Sequence, residues 1–288
     1  MTKLGKTAVM ALSAIAASAL ASTAVSAATL AEIQESGSIR IAVANEIPYG
    51  YIDPVSGEAM GAGPDVAKHI AEELGVTDIE WITTDFSSLI PGLQADRFDM
   101  VAAEMAIIPT RCATVIYSEP NTSYGEGLLV PAGNPEGLTG YADFADNTEL
   151  TVAIMAGANQ LDMMQALGVS EDQLVTISSN ADAISTVSTG RANAYAATGL
   201  TASELAGQSD AVEVAEGFSD PVIDGTEQRS WGGFVFAQGN EELRDAVNEV
   251  LAEYKQSDEW LETVSGYGFT DADTSRSFDM STADLCAE

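Results

Sequence analysis

The sequence predicts a two-lobed α/β fold, with a hinge of two chain crossings and a ligand cleft between the lobes, on two observations. From Ser38 onward, short β-rich runs alternate with helical stretches, which is the pattern of parallel α/β units. After Pro120 the alternation breaks into a stretch rich in Gly, Ser, Asn and Pro, including Gly125, Gly127, Gly133, Asn134 and Pro135, and then the scheme is written a second time.

Taken in order, residues 1–27 read as a secretory signal peptide. Lys3 and Lys6 precede an apolar stretch from Ala8 to about Leu20, and Val25, Ser26 and Ala27 supply small residues for cleavage. Serines and a threonine dilute that stretch, which is shorter than the roughly 20 strongly apolar residues a membrane span needs. The expected location is therefore the periplasm, without a lipid anchor, since no cysteine stands near the cleavage point.

Lobe 1 is expected over residues 28–121, lobe 2 over 122–232, and a return to lobe 1 over 233–288. In the first part, strands at 39–43, 79–83 and 98–102 flank two helices. Gly63, Pro64 and Asp65 open the first helix with proline in its first turn, Val66, Ile70 and Leu74 share a face, and Gly75 ends it. Asp85 is placed to cap the second, which turns Leu89, Ile90 and Leu93 inward. Lobe 2 starts around a strand at 127–130 and continues with strand 150–154, a helix opened by Gly157 and running to Ala166, strand 174–177, a helix from Asp182 to Thr189, and strand 194–197. Strand 233–237 and helices at 241–255 and 258–264 bring the chain back. Open α/β sheets hold ligands beyond the carboxyl ends of their strands, so two facing sheets define one cleft.

Composition narrows the function classes. Eleven Lys plus Arg against 44 Asp plus Glu leave a net charge of −33, which repels nucleic acid and anionic lipid. The acids are scattered and read as a solvated surface. Cys112 and Cys286 form an even pair in an oxidising compartment and are most simply a disulfide. His69 is the only histidine, so neither a Cys/His metal set nor a Cys/His dyad is available, and no metal or cofactor is expected.

The candidate ligand residues stand at the strand ends. After the first strand come Glu46, Tyr49 and Tyr51, a carboxylate and aromatic faces suited to a cation that is partly apolar. Phe86 follows the second strand. After the third, Met105 and Ala106 lead to Arg111, whose guanidinium can hold a carboxylate with two parallel hydrogen bonds. In lobe 2, Gly157, Ala158, Asn159 and Gln160 lie between a strand and a helix, where free backbone N–H groups favour an anionic group. Thr198 with Gly199, and Trp231 at the second crossing, complete the set. Each also has a plain structural reading, as a solvated loop glutamate, a core tyrosine or a surface ion pair.

The run Phe86-Ser87-Ser88-Leu89-Ile90-Pro91-Gly92-Leu93-Gln94-Ala95-Asp96-Arg97-Phe98-Asp99-Met100, with Met105 and Pro109 to Arg111, resembles the first lobe of family 3 extracellular solute-binding proteins, of the type II periplasmic fold. Within that class the chain is most similar to the ectoine/hydroxyectoine-binding proteins, through Asn45-Glu46 before Pro48, the Phe86 to Leu93 run, Arg111-Cys112, Gly125-Glu126-Gly127, Ala197-Thr198, Asp220-Pro221-Val222 and Asp224-Gly225. The resemblance implies that Glu46 pairs with a cationic amidine ring, Tyr49 and Phe86 enclose it, and Arg111 holds the carboxylate. Amino-acid binders commonly carry an aspartate where Thr198 stands, and burying a free ammonium without such a partner costs several kcal/mol. Two positions depart from the ectoine pattern: Ala106 replaces an aromatic wall, and Gln160 replaces an acidic residue.

The expected function is capture of a small zwitterionic compatible solute for an ABC importer, whose inner-membrane permease and ATPase the resemblance implies as partners, with the binding protein a monomer that inserts into no membrane and is not an enzyme. Three alternatives share the cleft: a polar amino-acid or opine binder, a periplasmic dehydratase on the same fold, and a ligand-presenting partner of a membrane sensor. The dehydratase would need a positioned acid or base, for which Glu46 is the located candidate.

Overall fold

The computed structural model describes residues 28–287, so the expected signal peptide lies outside the described residues. One sheet runs in the order Asp78–Thr83, Ser38–Val43, Met100–Ala106, Ser230–Ala237, Val115–Tyr117, with Thr122–Tyr124 also paired to Ser230–Ala237. Its first three strands are parallel and the remainder join antiparallel. Met100–Ala106 is buried along its whole length, as a strand covered on both faces must be, and its residues are apolar except for Glu104. The helix Ala62–Glu73 presents Val66, Ala67 and Ile70 to this sheet. The helices Glu241–Tyr254 and Asp258–Gly266 return to the same core, where Leu243, Val247, Leu251 and Trp260 pack with Ile41, Phe234 and Phe236.

The second sheet has the order Leu174–Ile177, Val152–Met155, Ala194–Thr198, Glu126–Pro131, Val212–Val214. Again three strands are parallel and two join antiparallel. Leu128, Tyr141, Phe144, Ile154 and Met164 fill its outer core. The scheme is thus written twice, and the two-lobed α/β expectation holds.

Several local expectations shift. The strand placed at 98–102 extends to Ala106, because Met105 and Ala106 pair with Gly233 and Gly232 of the returning strand. Asp85 makes no side-chain cap: a 3-10 turn, Phe86–Ser88, intervenes before the helix Leu89–Gln94. The helix assigned to Gly157 begins only at Gln160. Gly157 instead makes a turn at φ +83, and a Cβ there would lie 3.1 Å from Ser87 Cα, so the close approach of two loops needs glycine.

Thr122–Tyr124 and Ser230–Gly232 pair with each other within the first sheet, which puts the outward passage at Gly125 and the return in the loop before Ser230. A Cβ on Gly125 would stand 2.9 Å from the Asp220 carboxylate of that return loop. Cys112 and Cys286 are disulfide-bonded across 174 residues of sequence, with Cα atoms 5.7 Å apart. A loop that long restricts the unfolded chain enough to stabilise the fold by up to about 5 kcal/mol. Among the described residues, no helix is long and apolar enough to cross a membrane.

Candidate ligand site between the two sheets

The two sheets face each other across a small cavity, about 30 Å³ in volume. Of the expected residues, Glu46, Tyr49, Phe86, Ala106, Ala158, Asn159, Gln160 and Thr198 line it. Met105, Arg111 and Gly157 are outside the lining, and Trp231 is held elsewhere, its indole N–H donating to the Arg276 carbonyl at 2.9 Å.

On the first-sheet side, the chain leaves Ser38–Val43 through Asn45, which takes a left-handed φ of +56, and a tight turn closes between Glu46 and Gly50. That turn sets Glu46 and Tyr49 at the end of the sheet. The Glu46 carboxylate accepts from Thr201 Oγ1 at 3.0 Å. Burial pushes its pKa up, against the opposing effects of hydrogen bonding and the Arg111 charge. Tyr49 packs on Tyr124 and Phe269, with ring centroids 5.0 and 5.9 Å away, and donates its hydroxyl to Thr198 Oγ1 at 2.7 Å.

Arg111 sits in the short helix Pro109–Cys112 that follows the central strand, with its guanidinium carbon 5.5 Å from the centre of the Phe86 ring. Nη1 donates to the Ala106 carbonyl and Nη2 to the Gly157 carbonyl, both at 2.9 Å. A guanidinium has five N–H donors, so these two bonds leave capacity for a carboxylate. They also make Arg111 a direct link between the two sides of the cleft. Tyr49 to Thr198 and Thr201 to Glu46 are two more such links.

On the second-sheet side, Thr198 ends its strand and caps the helix Gly199–Gly207, accepting from Thr201 N–H at 3.2 Å as well as from Tyr49. With both lone pairs engaged, its own proton is what it has left to offer. Gln160 donates Nε2 to Glu126 Oε2 at 2.6 Å, and Asn159 donates Nδ2 to Ser230 Oγ at 3.2 Å. The helix here is only seven residues long, Gln160–Ala166, and the side-chain amides of its first turn line the cavity.

Ala103, Glu104, Tyr124, Met155, Tyr195 and Ala197 also line the cavity; they are not among the residues expected from the sequence, which follow strand ends, whereas these lie largely within strands. A period of two would have linked Tyr195 to Ala197 and Glu104 to Ala106. Glu104 is buried, holds a left-handed φ of +46, and accepts from Asn121 Nδ2 at 2.7 Å and Thr122 Oγ1 at 2.5 Å. Burial pushes its pKa up. Behind Gln160, burial raises Glu126 to about 7. Among the described residues none of these three carboxyls forms an ion pair within 4.0 Å, so the cavity and its immediate backing favour a cationic group.

A family model for bacterial extracellular solute-binding proteins, family 3, matches residues 39–270. A probable amino-acid ABC transporter periplasmic-binding protein, y4tE, of Sinorhizobium fredii (strain NBRC 101917 / NGR234) is 53% identical over 263 residues, covering 91% of this chain and 87% of that protein. The crystal structure of EhuB in complex with hydroxyectoine superposes with a TM-score of 0.81 at 32% identity, covering 90% of this chain and 97% of EhuB. An ancestral amino acid-binding protein described as a precursor of cyclohexadienyl dehydratase superposes with a TM-score of 0.71 at 27% identity, covering 83% of this chain and 98% of its own.

Proposed function

Because the chain belongs to the bacterial extracellular solute-binding proteins of family 3, we propose that it captures a small zwitterionic compatible solute, ectoine or hydroxyectoine, in the periplasm and delivers it to the permease and ATPase of an ABC importer. The family is a solute-binding one, and the chain is accordingly not an enzyme. The observation that carries the ligand reading is the first-sheet wall: a buried carboxyl at Glu46, the rings of Tyr49 and Phe86, and the Arg111 guanidinium beside Phe86. A carboxylate with aromatic faces suits a delocalised amidinium, and a guanidinium suits the carboxylate at the other end of the same molecule. The likeness to EhuB with hydroxyectoine supports this choice. Solute bound between the two sides selects the closed arrangement, since only there do both sides touch it.

A second reading, a polar amino acid as cargo, is favoured by the 53% identical relative described as a probable amino-acid binding protein. Calorimetric titration of the chain from Ala28 onward with ectoine, hydroxyectoine, glycine betaine and a panel of amino acids separates the two. The proposal expects saturable binding of ectoine or hydroxyectoine, weakened about 10- to 100-fold by Glu46→Gln, which keeps the shape and removes the charge. Binding of amino acids alone would replace the first reading with the second.

A further inference from the structure

The side-chain amides of Asn159 and Gln160 are both tied by their nitrogens. Gln160 Nε2 donates to Glu126 Oε2 at 2.6 Å, Asn159 Nδ2 donates to Ser230 Oγ at 3.2 Å, and Ser230 Oγ passes its own proton to Glu126 Oε1 at 3.3 Å. One carboxyl group therefore sets the orientation of both amides, directly for Gln160 and through a hydroxyl for Asn159. A primary amide is a planar fork with its nitrogen and oxygen on opposite prongs, so engaging the nitrogen turns the oxygen the other way. The two residues line the cavity, and Gln160 is only 4% exposed, packed too closely to swing freely.

Resting on the zwitterion reading, we propose that Glu126, with Ser230, holds Asn159 Oδ1 and Gln160 Oε1 toward the bound solute as a pair of neutral acceptors, and that this pair selects cations bearing N–H groups and rejects quaternary ammonium. Glu126 and Ser230 are positioning residues, and Asn159 and Gln160 touch the solute. The pair does the work of an acidic residue on the second wall without adding a charge there. An amidinium ring with two N–H groups can satisfy both oxygens. A trimethylammonium has no proton to give and leaves two acceptors desolvated and unpaired.

The test uses ectoine, whose amidinium carries two N–H groups, and glycine betaine, which carries none, titrated calorimetrically into the chain from Ala28 onward at pH 8, above the titration of Glu126 at about 7. The wild type is expected to prefer ectoine by about 100-fold or more. In Glu126→Gln the new amide can donate to Gln160, the fork is free to flip, and ectoine should weaken about tenfold while glycine betaine stays unchanged. Gln160→Met removes one acceptor outright and should narrow the ratio by a similar factor. A general loss of structure would weaken both solutes together, so the ratio is the decisive readout.

The proposal is overturned if the wild type binds the two solutes within twofold of each other, or if both variants, folded by circular dichroism, keep the wild-type ratio. If ectoine fails to bind and an amino acid binds, the ligand reading falls alone; that amino acid and its N-trimethyl form then serve as the pair, with the same two outcomes deciding. If no compound of the panel binds, both readings fall.

Discussion

On the first-sheet wall the polar groups at the cavity bear charge or a π-face, with Glu46 in the lining and Arg111 beside it, whereas on the second-sheet wall they are neutral and the nearest carboxyl, Glu126, stands one side chain back. The first wall can recognise what charge a solute carries at each end. The second can recognise which atoms carry protons, because its hydroxyl and amides are each locked into one donor or acceptor role. Dividing the labour this way limits the cost of burial. Charges are expensive to desolvate and are kept to one wall, and the closing wall brings only dipoles.

The comparison is broken most directly at Arg111. Arg111→Ala removes the guanidinium proposed to hold the carboxylate and leaves the Ala106 and Gly157 carbonyls without their donors, so solute affinity should fall by 100-fold or more, about 3 kcal/mol, measured by titration calorimetry. Retention of affinity within tenfold would mean that the first wall does not read the anionic end.

Acidity sharpens the contrast. Burial raises the pKa of Glu46, Glu104 and Glu126 in the folded chain above their unfolded values. A raised carboxyl contributes stability that is fully present below the unfolded pKa and is lost as pH rises through the folded one. For Glu126 that loss runs from about 4.5 to about 7 and amounts to about 3 kcal/mol. The ligand-free protein should therefore melt higher at pH 5 than at pH 8, by scanning calorimetry, while affinity for a cationic solute moves the opposite way. Glu126→Gln should flatten the part of the melting trend that belongs to the second wall and leave the Glu46 and Glu104 part in place. A melting temperature that rises with pH would contradict this account.

The smallest effect is expected at Thr198→Val, which keeps the shape, breaks the bond from Tyr49 and uncaps the helix Gly199–Gly207. Stability should drop by about 1 kcal/mol in urea unfolding, with solute affinity down by about tenfold. An effect confined to stability would make Thr198 a cap alone.

Much of the fold was legible because the parallel strands carry their signal locally: Ile39, Ile41 and Val43 alternate, and Val66 and Ile70 recur at helical spacing. What escaped depends on pairing between distant segments. Nothing near Ala103 announces that Gly232 and Gly233 will extend its strand, and so the sequence alone places Glu104 in a loop and out of the site. Asp85 has the right chemistry for a cap, yet the chain tightens into a 3-10 turn before the helix starts. At the site, residues just beyond strand ends were readable from position. Tyr124 and Tyr195, which reach the cavity from within strands, and Glu126, which acts through Gln160, were visible only once the two sheets were set face to face.

The bonds from Tyr49 to Thr198, from Thr201 to Glu46 and from Arg111 to Gly157 join the two sides directly. Closure therefore draws on contacts between the sides themselves as well as on contacts with a solute. The time for which the two sides stay together is then set partly by the protein and only partly by its cargo, a matter of dwell time rather than of fit.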